Sequence, residues 1–120
     1  VNTYSTKDQL TSGNSATLTL TGYAGYKITD VVLSMHSNSS KGAGSLSITA
    51  GNENLAVLSS TNFNKWYSNE TFGTNYRDVK VTLTNDSYTI KTGENVVITI
   101  TGTTNSLYIA SYKITFAKVN

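Results

Sequence analysis

Hydrophobic and polar residues alternate along most of the chain, at the two-residue spacing of a β-strand that buries one face. The clearest runs are Val31, Leu33 and Met35 and, further along, Val96, Ile98 and Ile100. Four other runs follow the same rule: Ala16, Leu18 and Leu20; Leu46 and Ile48; Leu55 and Val57; Val79, Val81 and Leu83. No stretch of ten or more residues repeats apolar positions at helical spacing. The pattern therefore predicts an all-β protein.

The last run, residues 107–116, is apolar at consecutive positions near its start. It then settles into an alternation that predicts one shared face for Tyr108, Ala110, Tyr112, Ile114 and Phe116. We therefore expect Tyr108 and Tyr112 to be structural residues of a central strand.

Polar segments rich in Gly, Ser, Asn and Thr separate the runs, for example at residues 37–44, 92–95 and 102–105. Short strands joined by such turns predict a single antiparallel β-sandwich over residues 1–120, with about seven to nine strands. A jelly roll and an immunoglobulin-like Greek key both fit this pattern.

The amino-acid composition excludes several kinds of site and partner. The chain has no Cys and one His, which excludes zinc fingers, iron–sulfur clusters, disulfide frameworks and cysteine nucleophiles. A net charge of +2 is too small to indicate nucleic-acid binding, and no apolar run is long enough for a membrane span. We accordingly expect neither nucleic acid nor membrane as a partner, and a monomer.

Thr, Ser and Asn supply 20, 15 and 13 of the 120 residues, while only 13% are charged. Such a surface is more typical of an extracellular or cell-surface bacterial module than of a cytosolic enzyme. The chain starts at Val1 without a basic segment followed by an apolar one, so we expect a module cut from a longer secreted protein.

Catalytic groups are sparse. His36 is on the polar side of its strand, where we expect a surface residue, and no nucleophile-elbow motif of the Gly-x-Ser-x-Gly type is present. The seven acidic residues lie in turns or beside basic residues, as solubilising charges do. We expect no enzymatic activity and no cofactor, although a structural calcium ion held by Asp30, Asp86 or Glu94 stays an open alternative.

Residues 61–76 break the alternation and contain the only Trp together with four other aromatic residues. Long loops of this kind inside a compact domain tend to be functional. We expect Phe63 and Phe72 to be buried and Tyr67 and Tyr76 to be exposed. For Trp66, an exposed ring and a buried lid over one end of the sandwich are equally good interpretations.

This mixture of residues suits carbohydrate recognition, because sugar rings stack on aromatic side chains while their hydroxyls bond to polar ones. The predicted ligand-binding residues are the aromatics Trp66, Tyr67 and Tyr76 and the polar residues Asn64, Lys65, Asn69 and Arg77. Tyr23 and Tyr26 form a second candidate patch. Because Glu70 and Asp78 can neutralise Lys65 and Arg77, we favour a neutral plant glycan over an acidic one.

Three stretches carry a resemblance: residues 25–38 (GYKITDVVLSMHSN), 42–47 (GAGSLS) and 105–116 (NSLYIASYKITF). They resemble all-β accessory domains of secreted multidomain proteins from gut and rumen bacteria, especially Bacteroidetes. The resemblance implies a β-sandwich appended to a larger enzyme or surface protein. Many modules of that architecture and habitat bind carbohydrate.

The sequence thus predicts a non-catalytic carbohydrate-binding module that tethers a covalently linked neighbouring domain to polysaccharide. The alternative is a structural or adhesive β-sandwich, such as a spacer, a fimbrial domain or a phage-fibre domain, that binds no glycan.

Overall fold

The computed structural model describes residues 2–37, 42–58 and 76–119. These parts of the chain form eight β-strands: β1 (Asn2–Leu10), β2 (Ser15–Leu20), β3 (Tyr26–Ser37), β4 (Ala43–Ala50), β5 (Glu53–Leu58), β6 (Arg77–Lys80), β7 (Val96–Thr104) and β8 (Leu107–Lys118). They make two four-stranded antiparallel sheets, here called sheet I and sheet II, with strand orders β1-β8-β3-β6 and β2-β7-β4-β5. The predicted all-β sandwich is confirmed.

The strand pairing distinguishes between the two topologies that the sequence leaves open. The first strand pairs with the last, the second with the seventh, the third with the sixth and the fourth with the fifth. Two further pairings, β3 with β8 and β4 with β7, join these strand pairs into sheets. A long eight-stranded hairpin rolled up in this way is a jelly roll.

The hydrophobic core lies between the two sheets, where alternate residues of their strands meet. Val31, Leu33 and Met35 of β3 are all fully buried, as are Ile98 and Ile100 of β7. Each fully buried side chain of this type contributes roughly 1.5–3 kcal/mol relative to exposure. Among the described residues, no helix has the length and apolar character needed to cross a lipid bilayer.

A β-bulge in β8 corrects the predicted face of the last run. Ser111 pairs with Ser34 and Ile109 with Met35, so Ala110 is an extra residue on β8. The extra residue reverses the alternation, and Tyr108 and Tyr112 therefore lie on opposite faces of sheet I. Tyr112 is buried in the core, whereas the predicted shared face of the two tyrosines is wrong, because the Tyr108 ring lies half-buried on the outer face.

A second bulge corrects the prediction for β5. Ile48 pairs with Ala56 and Thr49 with Asn54, which leaves Leu55 as the extra residue. Leu55 and Ala56 are both buried, whereas Val57, predicted to share the buried face, is 57% exposed.

The sequence pattern does not predict β1, because Tyr4 and Leu10 are its only apolar residues. The strand forms by pairing with β8 along the edge of sheet I. The predicted run of Val79, Val81 and Leu83 is a strand only as far as Lys80. Val81 is nevertheless buried in the core, and its backbone N–H donates to the Val31 carbonyl.

Candidate functional site

Most of the predicted binding residues lie outside the described parts of the chain: Asn64, Lys65, Trp66, Tyr67 and Asn69, together with Phe63 and Phe72. Tyr76 is described, and it is 45% exposed at the position immediately before β6. The predicted exposure of Tyr76 is confirmed. Arg77 begins β6, where its backbone pairs with Met35 of β3.

Tyr76 is part of a row of rings on the outer face of sheet I, which we call the aromatic ridge and which consists of Tyr76, His36 and Tyr108. The His36 and Tyr108 rings are stacked, with centroids 4.5 Å apart and planes 12° from parallel. The Tyr76 ring meets His36 edge to face, at 4.6 Å and 79°. Such aromatic contacts add about 0.5–1.5 kcal/mol per pair beyond the area they bury.

The register of sheet I explains why these three rings meet. His36 pairs directly with Tyr108, and residues opposite one another in an antiparallel pair share a face. Met35 and Ser37, which flank His36 in β3, point into the core, so His36 points outward. At the far side of Tyr108, the side chain of Gln9 donates a hydrogen bond of 3.1 Å from Nε2 to the tyrosine hydroxyl.

Short polar side chains lie next to the ridge, one row further along the strands. Ser34 pairs with Ser111, Ser111 with Ser5, and Ser34 with Asp78, so all four residues face outward in line across sheet I. We call this row the serine strip. The strip gives an extended ligand direct access to hydroxyl and carboxylate groups beside the ring edges of the ridge.

Two lysines, Lys80 and Lys113, form the following row, each paired with Val32. Lys80 lies near Asp30, with 3.6 Å between Nζ and Oδ1. Close to the serine strip, the outer face of sheet I thus carries both signs of charge, with Asp30 and Asp78 beside the two lysines.

The second candidate patch, Tyr23 and Tyr26, is packed rather than open. The Tyr23 ring is stacked on Phe116, with centroids 3.8 Å apart and planes 3° from parallel. Its hydroxyl lies 2.7 Å from the Tyr4 hydroxyl, within hydrogen-bonding distance. Burial, followed by this hydrogen bond, raises the pKa of Tyr4 above its ordinary value. Because one face of Tyr23 is covered, the patch offers less stacking surface than the sequence predicts.

The three carboxylates considered for calcium do not come together. Glu94 closes a turn: its carboxylate accepts hydrogen bonds from the Lys91 backbone N–H at 2.8 Å and from the Tyr88 hydroxyl. The hydrogen bond from the Lys91 backbone N–H lowers the pKa of Glu94, and the bond from the Tyr88 hydroxyl makes a smaller contribution in the same direction. Asp30 and Asp86 line a common cavity with Lys80. Within the described residues no cluster of three acidic or histidine side chains could hold a metal ion.

Comparison with protein-family models and with curated proteins finds no match for this chain. Sequence reasoning missed His36 and Tyr108 as members of the candidate site. The outward position of His36 could be deduced from the alternation in β3, whereas that of Tyr108 depends on the bulge at Ala110.

Proposed function

We propose that this protein is a non-catalytic carbohydrate-binding module whose binding surface combines the aromatic ridge with the segment that precedes Tyr76. The observation that supports it is the position of Tyr76. This residue ends the predicted aromatic segment and at the same time begins the ridge, in contact with His36. The ridge thereby extends the predicted site by two rings that the sequence did not assign to it.

The ridge and the serine strip supply the two kinds of contact that sugars need. Rings provide apolar surface for the C–H faces of a pyranose, and the serine hydroxyls and the Asp78 carboxylate of the strip provide donors and acceptors for hydroxyls. Because few of these groups are deeply buried, we expect weak binding, with a Kd on the order of micromolar to millimolar. The balanced charge around the strip favours a neutral glycan.

In this proposal the module belongs to a secreted or cell-surface bacterial protein and acts as a monomer joined to a neighbouring domain. Binding would hold that domain near its polysaccharide and raise the effective concentration of substrate. The role requires no cofactor, no metal and no catalytic residue in this chain.

The test is affinity electrophoresis against a panel of soluble plant glycans, run with the wild-type protein and with Trp66→Ala, Tyr76→Ala and Tyr26→Ala variants. We expect at least one neutral glycan to retard the wild type and Tyr26→Ala. The Trp66→Ala and Tyr76→Ala variants should lose most of the retardation while keeping a native circular-dichroism spectrum.

Two results would contradict the proposal. Absence of retardation by every glycan would favour the structural or adhesive alternative. Loss of retardation in Tyr26→Ala alone would move the site to the other end of the sandwich. If retardation occurs and falls about tenfold or more at ~0.5 M NaCl, where charges are screened within a few ångströms, the glycan is acidic rather than neutral.

A further inference from the structure

A polar cavity of about 320 Å³ opens at the end of sheet I that is remote from the aromatic ridge. Along β3, Asp30 in the cavity wall is six residues from His36 in the ridge, a distance of roughly 20 Å at the rise of a β-strand. The residues lining the cavity are Thr29, Asp30, Lys80, Val81, Thr82, Leu83 and Asp86. Neither the predicted site nor the ridge includes any of them.

The cavity has a clear structural origin. The pairing of β6 with β3 reaches from Met35 to Val32, and one further backbone hydrogen bond joins Val81 to Val31, so Thr29 and Asp30 lie just beyond the paired stretch. Thr29 is the extra residue of a bulge in β3, since Ile28 pairs with Phe116 and Asp30 with Thr115. Bulges of this kind re-aim neighbouring side chains.

The chain that follows β6 forms the opposite wall of the cavity. It leaves sheet I after Val81, and the Thr84 backbone N–H donates to the Leu55 carbonyl of sheet II. Asn85 reaches the same carbonyl, and its side chain donates to the Glu53 carboxylate at 3.2 Å. These bonds fix the segment at a distance from β3 that leaves the space between them open.

The polar groups of the cavity keep hydrogen-bonding capacity for a ligand. The Lys80 ammonium and the Asp30 carboxylate are 3.6 Å apart, close enough to attract each other but beyond ordinary hydrogen-bond length. A ligand hydroxyl that bridges the two groups can accept a hydrogen bond from the Lys80 ammonium and donate one to the Asp30 carboxylate. The Asp86 and Thr82 side chains are exposed to solvent in the cavity lining, while Val81 and Leu83 supply apolar surface.

We propose that this cavity is a second binding site, separate from the ridge, for one uncharged polyhydroxylated ring such as a neutral monosaccharide unit. Its volume is at the small end of ligand pockets, and its lining mixes apolar surface with a few directed polar groups. Two carboxylates against one ammonium disfavour an anionic ligand. Binding in the cavity does not depend on polysaccharide binding at the ridge.

The test is a ¹H–¹⁵N NMR titration of the whole chain with glucose, galactose, xylose and myo-inositol as separate probes, each up to about 100 mM. We expect at least one probe to shift the amides of Thr29, Asp30 and residues 81–86, with a Kd in the millimolar range. Glucuronate, which adds a negative charge, should bind at least about fivefold more weakly than glucose if glucose is the ligand.

Four variants distinguish binding in the cavity from binding elsewhere on sheet I. Asp86→Ala and the cavity-filling Thr82→Trp should each weaken binding about tenfold or more, with the rest of the spectrum native. Asp78→Ala removes a carboxylate from the same edge of sheet I outside the cavity, and Tyr76→Ala removes a ring of the ridge; both should leave the affinity within about twofold. The inference is overturned if no probe shifts the cavity amides, or if Asp86→Ala and Thr82→Trp bind as the wild type does.

Discussion

At the scale of single residues, Gly44 lies where two backbones and a core side chain come together. It pairs with Gly102 of β7, and a Cβ atom at Gly44 would lie 2.5 Å from the Thr101 carbonyl oxygen and 2.6 Å from Cδ1 of Leu107. The first of these neighbours is backbone and cannot rotate away. The absence of a side chain is therefore required for the β4–β7 pairing.

We expect Gly44→Ala to destabilise the protein by about 1–3 kcal/mol, the range found for overpacked cores. Urea denaturation followed by circular dichroism measures the change. Ser47→Ala, a half-buried position on the same strand, is the control and should cost less than about 0.5 kcal/mol. Equal stability of Gly44→Ala and the control would show that the two strands can separate enough to hold a methyl group.

The buried Tyr112 makes stability depend on pH in the alkaline range. Burial, with a smaller contribution from the Asp8 carboxylate, raises the pKa of Tyr112 from 10.0 to about 12. Below pH 10 the phenol is neutral in both the folded and the unfolded chain, so its contribution to stability is complete. Between pH 10 and 12 the unfolded chain ionises first, and the contribution is lost as pH rises.

We expect the free energy of unfolding to fall by about 1 kcal/mol more for the wild type than for Tyr112→Phe between pH 8 and pH 11. Urea midpoints of the two proteins at both pH values give this difference, in which the titration of lysines and other tyrosines cancels. Parallel pH profiles would mean that the phenol ionises as easily in the folded protein as in the unfolded chain.

At the scale of elements, the bulge at Ala110 gives two tyrosines of one strand opposite roles. Tyr112 fills the core at 2% exposure, whereas Tyr108 stacks on His36 outside it. We expect Tyr112→Ala to cost about 3–5 kcal/mol and Tyr108→Ala only about 1 kcal/mol. Thermal denaturation of both variants tests this. A Tyr108→Ala variant as unstable as Tyr112→Ala would contradict an outward position for Tyr108.

The sequence predicts most strands because an alternating pattern with one buried face is a local property. Val31, Leu33 and Met35 in β3 show it clearly, and so do Val96, Ile98 and Ile100 in β7. The bulges at Ala110 and Leu55 depend on which strand lies alongside, so the face of Tyr108 and the exposure of Val57 could not be deduced. The β1 strand has too few apolar residues to be recognised without its partner β8.

The same contrast between local sequence pattern and strand pairing applies to the candidate site. The exposure of Tyr76 follows from its polar surroundings in the sequence, and it is confirmed. The contact between Tyr76 and His36 joins residues that are 40 positions apart and depends on the pairing of β6 with β3. Because these residues are so far apart in the sequence, the ridge cannot be predicted without knowing how the strands of sheet I pair.

At the scale of the whole molecule, the rolled hairpin places its two longest strands, β3 and β8, at the centre of sheet I. Both carry ridge residues, and β6, which begins directly after Tyr76, pairs with β3 at the edge of the same sheet. The jelly roll thus presents the ridge on neighbouring strands of one sheet, and Tyr76 is the last residue of the segment in which the sequence predicts further binding residues. Rigid platforms position binding groups more accurately than loops do.

Glycan binding across the outer face of sheet I, at the ridge, is the central proposal for this molecule. It is tested most directly by ¹H–¹⁵N NMR of the protein titrated with oligosaccharides of the glycan that retards it most strongly in electrophoresis. We predict the largest shifts at Tyr76, at His36 and Tyr108, and at Ser34 and Ser111 of the adjoining strip. Shifts confined to sheet II or to the Tyr23–Tyr26 end, or no shifts at all, would contradict the proposal.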